Sequence, residues 1–186
     1  MADTEHEIRA DRLAKLESLR AAGVEPYPAR FDGREPIADV RGRFGHLGPG
    51  EESGEVARVA GRIGARRGQG KATFLDLADR SGQIQLHATE DVLGEAYAAV
   101  RDCDLGDVVG VAGEVFASRR GELSIRVREW RLLAKCLRPL PDKWHGLADV
   151  EQRLRQRYLD LLVNERSRET ALLRSRVVTA IRRVLD

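Results

Sequence analysis

A chain of 186 residues and 20.7 kDa, 42% hydrophobic and 33% charged, carries enough apolar material for one or two compact units and is excluded from the disordered and collagen-like classes. Its net charge of +2 hides a gradient, because residues 1–54 sum to −3, residues 55–137 to +1, residues 138–150 to 0 and residues 151–186 to +4. Two cysteines, Cys103 and Cys136, with no CxxC pair give neither a disulfide framework nor a metal knuckle. A reducing, cytoplasmic setting is therefore expected. With no apolar run long enough to span a bilayer and a start charged from the third residue, neither membrane insertion nor export is expected.

Residues 5–22 place Ile8, Leu13, Leu16, Leu19 and Ala22 near helical spacing, with Gly23 as the stop, and predict an N-terminal helix. Pro26, Pro28, Gly33 and Pro36 then break any longer element. The glycine-rich GHLGPGEESG completes what reads as a flexible connection, giving a helical arm over residues 1–54.

From Glu55 the hydrophobic period changes to two. Val59, Gly61 and Ile63 define a first strand, Thr73, Leu75 and Leu77 a second, and Ile84, Leu86 and Ala88 a third, after the turn Asp79-Arg80-Ser81-Gly82. Residues 90–103 return to helical spacing through Val92, Leu93, Ala96, Tyr97 and Val100. Strands over residues 107–118 and 122–135, joined through Arg119-Arg120-Gly121, complete the set. Three strands, a helix and two strands within residues 55–137 is the order of an OB-fold, a small closed barrel that binds oligonucleotides on one face.

Pro139 and Pro141 predict a stiff linker over residues 138–148. Helices are expected over 149–162, with Leu154, Tyr158, Leu161 and Leu162 on one side, and over 168–186, with Leu172, Leu173, Val177, Ile181, Val184 and Leu185. The last helix runs to the final residue without a cap, so residues 149–186 are expected to begin a domain whose remainder is missing. The fold class is thus mainly β with flanking helices: a five-stranded barrel between an N-terminal helix and the start of a second domain.

Alternation also sorts the barrel's side chains. If Leu75, Leu77, Ile84, Leu86, Leu123, Ile125 and Val127 face inward, then Phe74, Gln85, Glu122, Arg126 and Arg128 face outward. An outward aromatic on the second strand suits base stacking. Gln85 carries both donors and an acceptor for a base edge, and Glu122 can accept from a base amine. Arg62 and Arg66, in phase on the first strand, are expected to lie near Phe74, with Arg67 at the strand end. Arg119 and Arg120, and the Gly68-Gln69-Gly70 turn, would supply charge and backbone amides to phosphates. Phe74 packed beneath the N-terminal helix, and Gln85 and Glu122 as ordinary surface residues, remain the alternatives. His6, His46, His87 and His145 show no metal spacing and are expected on the surface or in the linker. No GxxxxGK[ST], GxSxG or HExxH occurs. Only four of the 32 basic residues are lysine, and arginine suits phosphate and base edges, although a GC-rich coding sequence gives the same bias.

The runs RVAGRIGARRGQGKATFLDLADRSGQIQL, DLGDVVGVAGEVFASRRGELSI and LRPLPDKWHGLADVEQRLRQRYLDLLVN resemble the class II lysyl-tRNA synthetases over essentially the whole chain. Aspartyl and asparaginyl relatives share the barrel and an RYLDL-like string but not this linker. The resemblance implies that the barrel binds the anticodon of a lysine tRNA. It assigns Phe74 to the aromatic that stacks on the central uridine, Gln85 to the glutamine that bonds the same base, Arg67 to a neighbouring arginine and Glu122 to a glutamate on an anticodon base. Gln83 stands where relatives commonly have Arg or Lys, and His87 where they often have Tyr.

The complete family enzyme is a homodimer that joins lysine to tRNA with ATP and Mg²⁺, using motifs beyond those present here. The resemblance therefore implies no catalytic residue and no cofactor bound in these 186 residues, which alone are expected to be inactive. The competing reading is a freestanding oligonucleotide-binding OB-fold module.

Overall fold

In the computed structural model the described residues are 2–68, 70–141, 147 and 149–185. The chain divides into two compact units, Met1–Pro139 and Leu140–Asp186.

The first unit is built on β1 (Glu52–Arg67), β2 (Ala72–Ala78), β3 (Gln83–Thr89), β4 (Val108–Ala117) and β5 (Leu123–Ala134). They close in the order β1-β2-β3-β5-β4. Only β3 and β5 pair in parallel; every other neighbour is antiparallel. Alternation drives the closure: Val59, Ile63, Leu75, Leu77, Ile84, Leu86, Val109, Val111, Ile125 and Val127 are buried in one core, and closure leaves no free sheet edge.

The segment between the N-terminal helix and the barrel is not a plain connection. It holds α2 (Ile37–Phe44), whose Ile37, Val40 and Phe44 belong to the barrel core. Pro36 precedes the first helical residue with extended backbone, where a proline costs nothing because the preceding turn is not helical. The first-turn amides of Ile37 and Ala38 donate to Asp79 Oδ2 at 3.0 Å and Ser81 Oγ at 2.9 Å, so the β2–β3 turn caps α2. A cap supplied by a distant turn leaves no mark in the helix's own sequence.

The N-terminal helix α1 (Ala2–Ala21) is present, but its hold on the barrel is polar. Arg12 is buried and donates to the carbonyls of Cys136, Arg138 and Leu105 at 2.9, 2.9 and 3.2 Å, while Lys15 pairs with Asp104 at 2.7 Å. Leu16 is buried beside them, whereas Leu13 from the expected apolar stripe is exposed. Beneath this contact Lys135 is buried between Asp104 and Asp107, and Cys103 has its thiol pushed up to about 12 by burial and then by Asp107. The single helix expected over 90–103 is three short pieces, α3 (Glu90–Leu93), a 3₁₀ turn (Gly94–Ala96) and α4 (Tyr97–Asp102). Gly94 breaks it with φ of 56°, a left-handed value that favours glycine.

In the second unit the helix expected over 149–162 is divided at Gln156 into α5 (Val150–Arg155) and α6 (Arg157–Val163), followed by α7 (Glu165–Leu185). Asp149 caps α5 by accepting from the Gln152 amide at 2.6 Å. The buried carboxylate of Asp160 accepts from Arg153 at 2.7 Å, Arg157 at 2.5 Å and Asn164 at 2.5 Å. Most of the expected linker, including His145, lies outside the described residues, as does Gln69 of the Gly68-Gln69-Gly70 turn. No described helix is long and apolar enough to cross a membrane.

Candidate nucleic-acid interface

One outer face of the barrel carries a groove of about 1370 Å³. Phe74, Gln85, Arg67, Glu122, Arg119 and Arg120 all line it, so six of the residues singled out from the sequence share one site. Two rows of directly opposed residues run across this face of the barrel, and Arg67, Phe74, His87, Asp76, Gln85 and Phe116 of them line the groove. Arg67, Phe74, His87 and Arg126 face one another across β1, β2, β3 and β5. Two residues along, Asp76, Gln85, Ser124 and Phe116 do the same across β2, β3, β5 and β4. Opposed residues share a face of the sheet, so each row is a continuous strip of side chains.

Phe74 is half-buried and stacks on His87, with centroids 4.6 Å apart and planes 20° from parallel. It does not pack beneath α1. His87 in turn lies 6.0 Å from Phe116, tilted by 60°, and the Arg126 guanidinium sits 5.0 Å over the Phe116 ring. The result is a band of flat faces, the surface on which bases stack. Arg67 donates to Asp76 Oδ1 at 2.7 Å, which holds the guanidinium next to Phe74. Gln85 accepts at Oε1 from the Ser124 hydroxyl at 3.0 Å, and its amide nitrogen has no partner among the described residues. At the rim, Arg119, Arg120 and Glu122 are exposed around the β4–β5 turn, where Ser118 Oγ accepts from the Glu122 amide at 3.0 Å.

Arg62 and Arg66 depart from expectation. A bulge between Ile63 and Ala65 inserts one residue into β1, so strict alternation fails after Gly64. Arg66 is opposed to the inward-facing Leu75 and donates to the Arg101 and Cys103 carbonyls at 2.6 and 3.1 Å. Arg62 donates to the Gly106 carbonyl at 2.6 Å. Neither lines the groove; both brace the end of the barrel. The same bulge brings Arg67 opposite Phe74.

His87 also departs from expectation, since it is a half-buried member of the stack with Nδ1 buried and unpartnered among the described residues. Burial, and then the nearby Arg126 charge, hold it below its ordinary 6.5, so the ring is neutral at neutral pH. Phe116, Asp76 and Ser124 were not singled out from the sequence. Phe116 alternates outward like Phe74 and was findable on that ground. Ser124, small and surrounded by buried residues, gave no such sign.

Among the described residues no group of three His, Cys, Asp or Glu side chains is placed to hold a metal ion. The groove offers stacking faces, amide donors and guanidinium groups instead, the equipment for single-stranded nucleic acid.

Comparison with known proteins agrees with that chemistry. Residues 57–133 match the model of the OB-fold nucleic acid binding domain. The chain is 45% identical to the lysine–tRNA ligase of Carboxydothermus hydrogenoformans over 97% of its own length and 36% of the relative's. It is 47% identical to that of Moorella thermoacetica, over 99% of this chain and 37% of the relative. To that of a Synechococcus species it is 48% identical, over 97% and 37%. The chain thus spans a little over a third of the length of these relatives.

Proposed function

We infer, from a chain that belongs with the lysine–tRNA ligases in sequence and is their anticodon-binding part, that the groove binds the anticodon loop of a lysine tRNA. The observation that carries the reading is the open stack of Phe74 on His87, flanked by Arg67 and by the Gln85 amide nitrogen, which has no partner among the described residues. In this reading the central anticodon base stacks on Phe74, and Gln85 bonds its edge. Arg67 lies against the same nucleotide, and Glu122 contacts a neighbouring base. Arg119 and Arg120 at the rim supply charge to the phosphates, which position the loop without reading it.

Chemistry on lysine belongs to the complete ligase, which uses ATP and Mg²⁺. The groove described here contributes selection of the tRNA, and we propose that these 186 residues alone form no lysyl-adenylate. The match to ligases runs through both units, covering 97% or more of the chain, which favours this reading over a freestanding binding module. The exposed apolar residues of α7, among them Val177, Ile181 and Val184, fit a helix that contributes to the homodimer of the complete enzyme. Sedimentation tests that part: a ligase containing Ile181→Asp and Val184→Asp is expected to dissociate to monomers, and an intact dimer overturns it.

The anticodon reading is tested by titrating the chain with a labelled stem-loop carrying UUU and one whose central U is replaced by C. Preference for UUU is expected, and equal affinities overturn it. Phe74→Ala is expected to weaken binding by about 1–3 kcal/mol, the scale of one base stacked on an aromatic side chain.

A further inference from the structure

We propose that Arg41 on α2 is a phosphate contact of the groove, which makes this helix part of the RNA-binding surface; the inference rests on the anticodon reading above. The groove does not end at Gln85. It runs on past Gln83 and Gly82 to Ala38 and Arg41, so part of its lining comes from a helix that precedes the barrel in the chain.

The charge of many barrel arginines is already engaged. Arg67 pairs with Asp76, Arg58 with Glu129, Arg126 with Glu52 and Glu114, and Arg128 with Glu114. Arg62 and Arg66 donate to backbone carbonyls at the barrel end. Arg41 is exposed and has no carboxylate partner among the described residues; it donates from Nη1 to the Gln83 carbonyl at 3.0 Å. A guanidinium carries five N–H donors, so this bond fixes its place and leaves the others to give.

Its mounting is firm. Ile37, Val40 and Phe44 anchor α2 in the core, and Asp79 and Ser81 hold its first turn. Arg119 and Arg120 also lack a carboxylate partner among the described residues, but they stand on an exposed turn. Gln83 lies four residues along β3 from His87, about 13 Å at the rise of a strand. The guanidinium is thus displaced along the groove from the Phe74 stack, where the backbone of a neighbouring nucleotide would run. A positioned guanidinium with donors to spare and no carboxylate against it suits the oxygens of a phosphate.

Fluorescence anisotropy on the whole 186-residue chain, with UUU and UCU stem-loops titrated between about 50 and 200 mM KCl, tests the proposal. Each phosphate contact to a single strand adds about 0.7 to the slope of log affinity against log salt. Arg41→Gln is expected to flatten the slope by about that amount, so its affinity falls about two- to threefold less over this range than that of the unaltered chain. It is also expected to weaken both RNAs by the same factor. Arg41→Lys keeps the charge and is expected to keep the slope. Arg43→Gln makes the same change of charge on α2 outside the groove, where Arg43 pairs with Glu35, and is expected to leave the slope as it is. An unchanged slope in Arg41→Gln overturns the proposal even if affinity falls, since a residue that only braced Gln83 releases no counterion. Equal flattening in Arg43→Gln overturns it as well, because the effect would then belong to net charge and not to a contact. Both of those results leave the anticodon reading standing. Equal affinity for UUU and UCU in the unaltered chain overturns that reading and the proposal together.

Discussion

The two units of this chain are held together by opposite kinds of interior. The barrel closes over aliphatic side chains, with Ile63, Leu75, Leu77, Leu86 and Ile125 all inaccessible to solvent. The helical unit leaves many aliphatic side chains exposed, Leu154 at 70%, Ile181 at 52% and Val184 at 84%, and fully buries the charged Asp160. A closed sheet satisfies its own apolar face, whereas Asp160 on α6 takes Arg153 from α5, and the same Arg153 donates to Ser167 on α7 at 3.1 Å. The barrel presents a groove on a closed sheet; the helical unit presents exposed aliphatic side chains.

The sharpest way to break this contrast is to delete aliphatic groups in each unit. Leu75→Ala is expected to destabilise the barrel by about 2–5 kcal/mol through lost burial and a residual cavity. Ile181→Ser on α7 is expected to change stability by no more than about 0.5 kcal/mol, as for a surface site. Urea unfolding followed by circular dichroism measures both, and similar losses would mean that α7 is packed rather than exposed.

Asp160 supplies the complementary test. Asp160→Ala is expected to remove helical signal and expose residues 150–185 to protease, while the fluorescence of Trp130 on β5, read in a Trp144→Phe background, is unchanged. The carboxyl is pulled down to about 2, first by the Asn164 amide and then, against the cost of burial, by Arg153. Its folded pKa lies below the ordinary 3.8, so its contribution is complete above that pH and is lost as pH falls towards 2. Helicity of the second unit should decline across that acid window in the unaltered chain and show no such window in Asp160→Asn.

Much of this arrangement was legible in the sequence because period-two alternation is a strong constraint on a closed barrel. It placed all five strands, and it put Phe74, Gln85 and Glu122 on the outer face. It failed where geometry departs from a strict period. The bulge at Gly64 reverses the phase of β1, so Arg66 braces the barrel end while Arg67 joins the groove; Arg62 precedes the bulge and is held at the barrel end by the Gly106 carbonyl. Alternation cannot register an inserted residue when the residues after it are Ala65, Arg66 and Arg67, none of which marks an inward position. Helix α2 was hidden for another reason: it is only eight residues long, follows a proline and takes its cap from Asp79 and Ser81 across the fold. The polar hold of α1 through Arg12 depends on the Cys136, Arg138 and Leu105 carbonyls, distant in sequence, which no local pattern announces.

The smallest effect concerns His87, where the barrel's face carries a titratable ring at the centre of its stack. Its neighbours are Phe74 on β2, Arg126 on β5 and Phe116 on β4, and Arg126 is itself paired with Glu52 and Glu114. Burial and the Arg126 charge disfavour its protonation, so the folded pKa lies below 6.5 and the unfolded chain binds the proton more readily. The stability this confers is whole above pH 6.5 and is lost as pH falls through 6.5 towards the lower folded value. The barrel's urea midpoint should therefore drop slightly more between pH 7 and 5.5 in the unaltered chain than in His87→Phe, which keeps a flat ring against Phe74 and removes the titration. Equal drops would place the ring in contact with water, contrary to its buried Nδ1, and would leave Phe74 as the only aromatic that the fold holds rigid in that row.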